Sequence, residues 1–335
     1  MNVLVVRLDS FGDVLLAGPA VRAAATRASR LTLLCGPLGE PAARMLPGVD
    51  DVIVWQAPWE GVRPPMVEDA DVPGLVAEVR AGAYDTALVL TSFHQSPLPT
   101  ALLLRLAGVG RIGADSVDHP GQLLDVRHQR LPDRHEAEAG LDLALAMGFQ
   151  PRAGDDGRLR VLPVPDTATL TGNGPYVVVH PGASAPARSW DAERHAEAVQ
   201  SLADAGHRVV VTGGPAETAL THLVSGDVAI DLGGRTTPRT LAGVLSGADA
   251  LVSGNTGPAH LAAAVGTPVV SLFAPVVPAS RWAPYGVPTV LLGDQRAACA
   301  GTRARHCPVP GHPCLGDVTA HDVVSAVRKL LKESA

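Results

Sequence analysis

Residues 251–270 read LVSGNTGPAHLAAAVGTPVV. An apolar run ends in a glycine-rich corner at 254–258, and an alanine-rich helix begins at once. This strand–turn–helix order leaves the first N–H groups of the helix, and the positive end of its dipole, facing whatever lies above the turn. Such a corner is a seat for a phosphate or diphosphate. His260, on the first helical turn, is near enough to share the same anion. Read alone, the corner serves equally well as a tight β–α connection with a core-facing His.

Outward from this corner the chain alternates apolar runs with helical segments. The first half carries strand patterns at 2–6, 31–35, 52–55 and 86–90, with helices at 14–28, 39–46, 72–80, 99–106 and 136–147. A Pro/Gly/Asp-rich bridge at 151–174 contains one short strand, 159–162. The alternation then restarts with strands at 176–180, 208–212, 250–252 and 269–272 and helices at 192–205, 217–223, 238–245 and 257–265. Unbroken apolar runs mark buried parallel strands. The expectation is an α/β chain of two Rossmann-like parallel-sheet domains, 1–162 and 163–335, facing across a cleft. A last helix, 320–332, is expected to pack back on the first domain.

Composition narrows the classes. A chain of 335 residues can bury two cores. With 46% hydrophobic but only 3% aromatic residues, Ala, Val and Leu must fill them. A net charge of −6 without a basic block argues against a nucleic-acid partner. The longest nearly uncharged run, 261–280, is broken by Gly266, Pro268, Pro275 and Pro278, so it reads as helix plus strand rather than a membrane span. The start runs straight into VLVVRL with no basic leader or cleavage site, and Cys is sparse. Both point to a reduced, cytoplasmic protein.

In parallel sheets ligands sit beyond the carboxyl ends of the strands. After the first strand comes RLDSFGD, 7–13, where Gly12 permits a tight turn and Asp13 falls at the cap or in the first helical turn. Asp13 is either a helix cap or a general base. HPGASAPARSW, 180–190, offers the Ser184 hydroxyl and the Arg188 guanidinium, whose fork suits a diphosphate, although a plain surface role is open. Glu217, closing TGGPAE, could accept from ribose hydroxyls or cap its helix. A fourth glycine corner lies at 232–237. None of these is GxGxxG with a downstream acid, GxxxxGK[ST] or GxSxG, which disfavours a dehydrogenase, a P-loop kinase and a serine hydrolase. Cys299, Cys307 and Cys314 cluster with His306 and His312 but form no CxxC pair, so packed or free thiols are favoured over a zinc site.

Five stretches in register, RLDSFGDVLLAGPAVRA (7–23), HPGASAPARSW (180–190), TGGPAE (212–217), 231–268 and FAPVVPASRWAPYG (273–286), resemble glycosyltransferase family 9. Those are the ADP-heptose:lipopolysaccharide heptosyltransferases and their relatives. The resemblance implies the GT-B architecture and an inverting transfer from a nucleotide sugar, ADP-heptose in the family's manner, with neither metal nor cofactor required. It implies Asp13 as the base that deprotonates the acceptor hydroxyl and Arg188 as the stabiliser of the departing diphosphate. Glu217 would hold the donor ribose, and Asn255, Thr256, Gly257 and His260 would form the phosphate loop with Ser184 nearby. Asn255 stands where many members carry Asp, and Thr302 where some carry a further Cys.

On the acceptor side, TSFHQS at 91–96 offers His94 and Gln95 to bind sugar hydroxyls, although His94 serves equally well as a packed side chain, with Arg105 and Arg111 to meet a phosphorylated or lipid-linked acceptor. A monomer is expected, taking a nucleotide sugar and a glycan or glycolipid acceptor. Peripheral contact with the inner face of the membrane is compatible with this, and nucleic acid is not. Two alternatives stay open: a GT-B-fold nucleotide-sugar epimerase or hydrolase, and a non-catalytic nucleotide-sugar binding protein. The epimerase would need further carboxylates converging near the sugar, and the sequence does not identify them.

Overall fold

Residues 3–7 and 177–180 are apolar runs ending in a basic side chain, and each is buried from end to end. Such runs have no solvent face, so they settle in the middle of a sheet covered by helices on both sides. The computed structural model describes residues 1–61 and 63–333, and it divides into two compact units, Met1–Leu162 and Pro163–Ala335.

The first unit holds β1 (Asn2–Arg7), β2 (Arg30–Cys35), β3 (Asp51–Val54), β4 (Thr86–Val89), β5 (Arg111–Asp115) and β6 (Val126–His128). The second holds β7 (Val177–His180), β8 (Val209–Val211), β9 (Ile230–Asp231), β10 (Ala250–Gly254), β11 (Val269–Leu272) and β12 (Thr289–Leu292). The strand orders are β3-β2-β1-β4-β5-β6 and β12-β11-β10-β7-β8-β9. Every pairing is parallel, with Val5 opposite Leu33 and Leu88, and Val252 opposite Val179 and Val270. Each sheet is therefore doubly wound in the same sense. Its order reverses once, between β1 and β4 in one unit and between β7 and β10 in the other. Ligands of such sheets bind beyond the carboxyl ends of the strands at that reversal.

The departures from expectation have local causes. Helix 14–28 is two helices, Phe11–Leu16 and Gly18–Ala25, because Pro19 has no N–H to return to the preceding turn. Among the described residues, 159–162 joins neither sheet. That bridge is tied by side chains instead, through Arg22 to both carboxylate oxygens of Asp155 at 2.8 Å. The terminal helix, Ala320–Glu333, packs against the core of the second unit. Val323, Val327 and Leu330 enter a core shared with Val199, Leu202 and Val252. β5, β6, β9 and β12 escaped the sequence reading because they are short or end in charged residues, as strands away from the sheet centre can. Among the described residues no helix is long and apolar enough to cross a membrane.

Candidate functional site

At the carboxyl end of β1 the chain buries a guanidinium. Arg7 is 4% exposed, and its Nε lies 2.7 Å from Asp9 Oδ2. Its terminal nitrogens reach Asp13 at 3.3 Å and Glu136 at 3.6 Å, and one donates to Ser92 Oγ at 2.8 Å. Asp13 is the third residue of helix Phe11–Leu16 and so is not its cap. Its other oxygen accepts from Ser10 Oγ at 2.8 Å. The carboxylate is thus held from two sides yet stays one-fifth exposed.

Gln95, from the loop after β4, joins this network. Its amide nitrogen donates to Asp9 at 2.5 Å and to Glu60 at 2.6 Å, while its oxygen accepts from the Ser92 N–H. Burial pushes the Asp9 carboxyl up to about 7 against the pull of Arg7, with Asp13 and Glu60 adding repulsion. Burial also raises Glu60 and Glu136. Burial alone would weaken the charge on Arg7, but the surrounding carboxylates hold it protonated. Glu136 is linked through Arg130 to Asp115 and onward to His128. His94 is exposed and lies edge-on to Phe93. Arg105 and Arg111 do not serve as expected. Arg105 is consumed by Asp125 and by four backbone carbonyls, and Arg111 by the Met147 carbonyl, so both stitch the fold together.

In the second unit the corners after β7, β8 and β10 meet at the reversal of strand order. Glu217 closes a 3-10 turn, Pro215–Glu217, and its carboxylate accepts from the Gly214 N–H at 2.7 Å. It lies flat over Gly182, where a Cβ would stand 2.0 Å from Oε1. Behind it, His180 Nε2 is 3.9 Å from Oε2, and Nδ1 meets Thr212 Oγ1 at 3.1 Å. Burial keeps His180 below its ordinary pKa, so a neutral ring backs the carboxylate. Arg188, half-buried, ends the 3-10 turn Pro186–Arg188, and its carbonyl comes within 3.1 Å of where a Cβ on Gly254 would sit. Ser184 is exposed on the same segment.

The corner at 254–258 leads from β10 directly into a helix. Thr256 precedes helix Gly257–Val265, and its hydroxyl pairs with Ser253 Oγ at 3.2 Å instead of capping the helix. Pro258 has no N–H and the Ala259 N–H returns to the Thr256 carbonyl at 3.1 Å, so the Gly257 N–H is the one this corner leaves to another acceptor. Asn255 is 4% exposed, and its side-chain nitrogen has no hydrogen-bond partner among the described residues. His260 is buried on the first turn.

The late cysteines pack rather than gather ligands. Cys299 and Cys314 are buried side by side, and burial, reinforced by Cys299, pushes the Cys314 thiol up to about 12. Among the described residues no group of three His, Cys, Asp or Glu side chains is arranged to hold a metal.

The model of glycosyltransferase family 9 (heptosyltransferase) matches residues 74–311, more than two thirds of the chain. The chain belongs to glycosyltransferase family 9. Lipooligosaccharide heptosyltransferase 2 of Campylobacter jejuni is 26% identical over 163 residues, covering 47% of this chain and 51% of that protein. The chain spans about half the length of the curated relatives it matches. Two solved structures share the fold over nearly the whole chain. A family 9 glycosyltransferase from Veillonella parvula superposes with TM-score 0.78 at 18% identity, covering 99% of this chain and 97% of that one. ADP-heptose lipopolysaccharide heptosyltransferase II of Escherichia coli gives 0.76 at 21%, with full coverage of both. The two-sheet GT-B architecture expected of this family member is the one observed.

Sequence reasoning placed Asp13 and Gln95 but missed their partners Arg7, Asp9, Glu60 and Glu136. Arg7 and Asp9 stand in the quoted RLDSFGD stretch, and a basic residue followed closely by two acids at the end of a buried strand was a legible signal. Glu60 and Glu136 come from distant loops and helices and carried none.

Proposed function

We propose that this chain is an inverting glycosyltransferase that moves a heptose or related sugar from an ADP-sugar to a hydroxyl of a glycan or glycolipid acceptor, without a metal or cofactor. The observation that carries the reading is the corner at 254–258, where the Gly257 N–H at the helix start and the amide of Asn255, unpartnered among the described residues, offer donors to one anion. The diphosphate of the donor is that anion. Thr256, Gly257 and His260 line its seat, and Ser184 lies on the neighbouring segment. Arg188 takes up the charge that builds on the leaving diphosphate. Glu217, held by the Gly214 N–H, accepts from the ribose hydroxyls.

In the first unit Asp13 is the base. It removes the acceptor proton as that oxygen attacks the anomeric carbon from the face opposite the diphosphate. Arg7 orients it from 3.3 Å. Gln95 and His94 face the acceptor hydroxyls. The enzyme acts as a cytoplasmic monomer at the inner face of the membrane.

A thermal-shift series with ADP-, GDP-, UDP- and dTDP-sugars tests the donor side; stabilisation by ADP-sugars alone is the expected result. Turnover is expected to survive EDTA, and a loss restored by a divalent cation overturns the metal-free mechanism. The second reading, an epimerase or hydrolase, draws on Asp9, Glu60 and Glu136, but Arg7, Arg130 and Gln95 already engage those carboxylates. Incubation with donor alone separates the two, because only the second reading yields an altered sugar without an acceptor.

A further inference from the structure

The loop that carries Cys299, Cys307, Cys314, His306 and His312 has no part in the reaction as proposed, yet it is fastened to the donor side. Gly301 donates to the Pro275 carbonyl at 2.9 Å and Arg303 to the Val276 carbonyl at 2.8 Å. Cys299 and Cys314 sink into the same core as Ala187 and Trp190. From this base the loop sends three hydrogen bonds to the segment that carries Ser184 and Arg188. The Ala187 N–H donates to the Arg305 carbonyl at 2.9 Å, Arg305 Nη2 donates to the Ser184 carbonyl at 3.3 Å, and His312 Nε2 donates to the Ala187 carbonyl at 3.1 Å. Both backbone groups of Ala187 are thereby spoken for by one loop.

The Ala187 carbonyl and the Arg188 N–H belong to one planar peptide. That N–H turns back to the Ala185 carbonyl at 2.9 Å. Fixing both ends of the plane fixes the direction in which the Arg188 side chain leaves the backbone. On its far side the Arg188 carbonyl lies against Gly254, at the start of the phosphate corner. His312 performs its part from a left-handed backbone conformation, φ 49°, which is uncommon for His and persists only where its surroundings hold it.

We propose that His312 is a positioning residue for Arg188: it sets the Ala187–Arg188 peptide plane and so aims the guanidinium at the donor diphosphate. The proposal rests on the reading of Arg188 as a diphosphate contact.

The test is a double-mutant cycle on ADP affinity, measured by calorimetry with the full chain. His312→Asn removes the reach of Nε2 while keeping a residue that tolerates φ above zero. It is expected to weaken ADP binding by roughly three- to tenfold, the scale of coupling between adjacent contacts. In an Arg188→Ala background it should have no further effect, and His312→Gln, with an Nε2 of similar reach, should recover most of the affinity. Should His312→Asn not fold, Arg305→Ala at an exposed side chain enters the same cycle through Ser184. Unchanged affinity, or losses that simply add to that of Arg188→Ala, overturn the positioning role. An Arg188→Ala protein that binds ADP as well as the wild type overturns the donor reading itself, a separate and recognisable result.

Discussion

The Glu217 carboxylate fills the space of the side chain that Gly182 lacks. A Cβ on Gly182 would stand 2.0 Å from Oε1 and 2.8 Å from Oε2. The glycine corner after β7 therefore does more than turn the chain: it makes room for an acid delivered by the corner after β8. The obstacle to a Cβ is the end of a flexible side chain rather than backbone, so the fold can absorb a methyl group by moving Glu217.

Gly182→Ala should consequently leave the protein folded while displacing Glu217. ADP affinity is expected to fall by about as much as in Glu217→Gln, and the two changes together should cost little more than either alone. Fully additive losses in calorimetry would show that Gly182 and Glu217 act separately.

Arg188→Ala should weaken ADP binding by ~1.5–3 kcal/mol, the scale of one hydrogen bond to a charged group. The half-buried position of Arg188 sets this expectation above that for a fully solvated ion pair. An affinity equal to the wild type in the same titration would remove Arg188 from the donor site.

The sheets and the corners were legible because they depend on local pattern. Unbroken runs such as residues 3–6 can only be central strands, and glycine after such a run can only be a turn into a helix. The partner of the terminal helix in the second unit was not legible, because an amphipathic stripe declares that a face is buried but not against what. Val323, Val327 and Leu330 would suit either core. Asp13 was legible as a chemical group, but its surroundings were not. Glu60 and Glu136 reach Gln95 and Arg7 across long separations in sequence, and no spacing rule records such a meeting. Arg105 and Arg111 misled for the converse reason, since a basic side chain looks the same in sequence whether it awaits a phosphate or closes carbonyls.

The Asp9 carboxyl predicts a pH dependence of stability. Its pKa is raised in the folded state from 3.8 to about 7, so the native protein binds a proton that the unfolded chain has already released. Stability from this group is fully present below about pH 4 and is lost as pH rises towards about 7. Burial raises Glu60 and Glu136 as well, which gives the same sign. Asp155, lowered to about 2 by its bonds to Arg22, acts in the opposite sense and at more acid pH. Thermal melts of wild type and Asp9→Asn between pH 4.5 and 8 isolate the contribution. The wild type should lose stability relative to the variant as pH rises, and parallel curves would contradict the assignment.

Asp13→Asn is the sharpest test of the chemistry. The amide keeps an oxygen for Ser10 or Arg7 and is close to the carboxylate in shape, so the network around Arg7 should survive. What it cannot do is accept the acceptor proton. Turnover is expected to fall by about 10²–10⁴-fold, the usual worth of a positioned base. ADP affinity should stay within about twofold, because none of its proposed contacts is a residue of the first unit. Retained turnover would show that another group takes the proton, and Asp9, one guanidinium away at 2.7 Å from Arg7, would be the residue to replace next. Lost turnover together with lost ADP binding would instead mean that Asp13 supports the fold, and an unchanged melting temperature for the variant would exclude that.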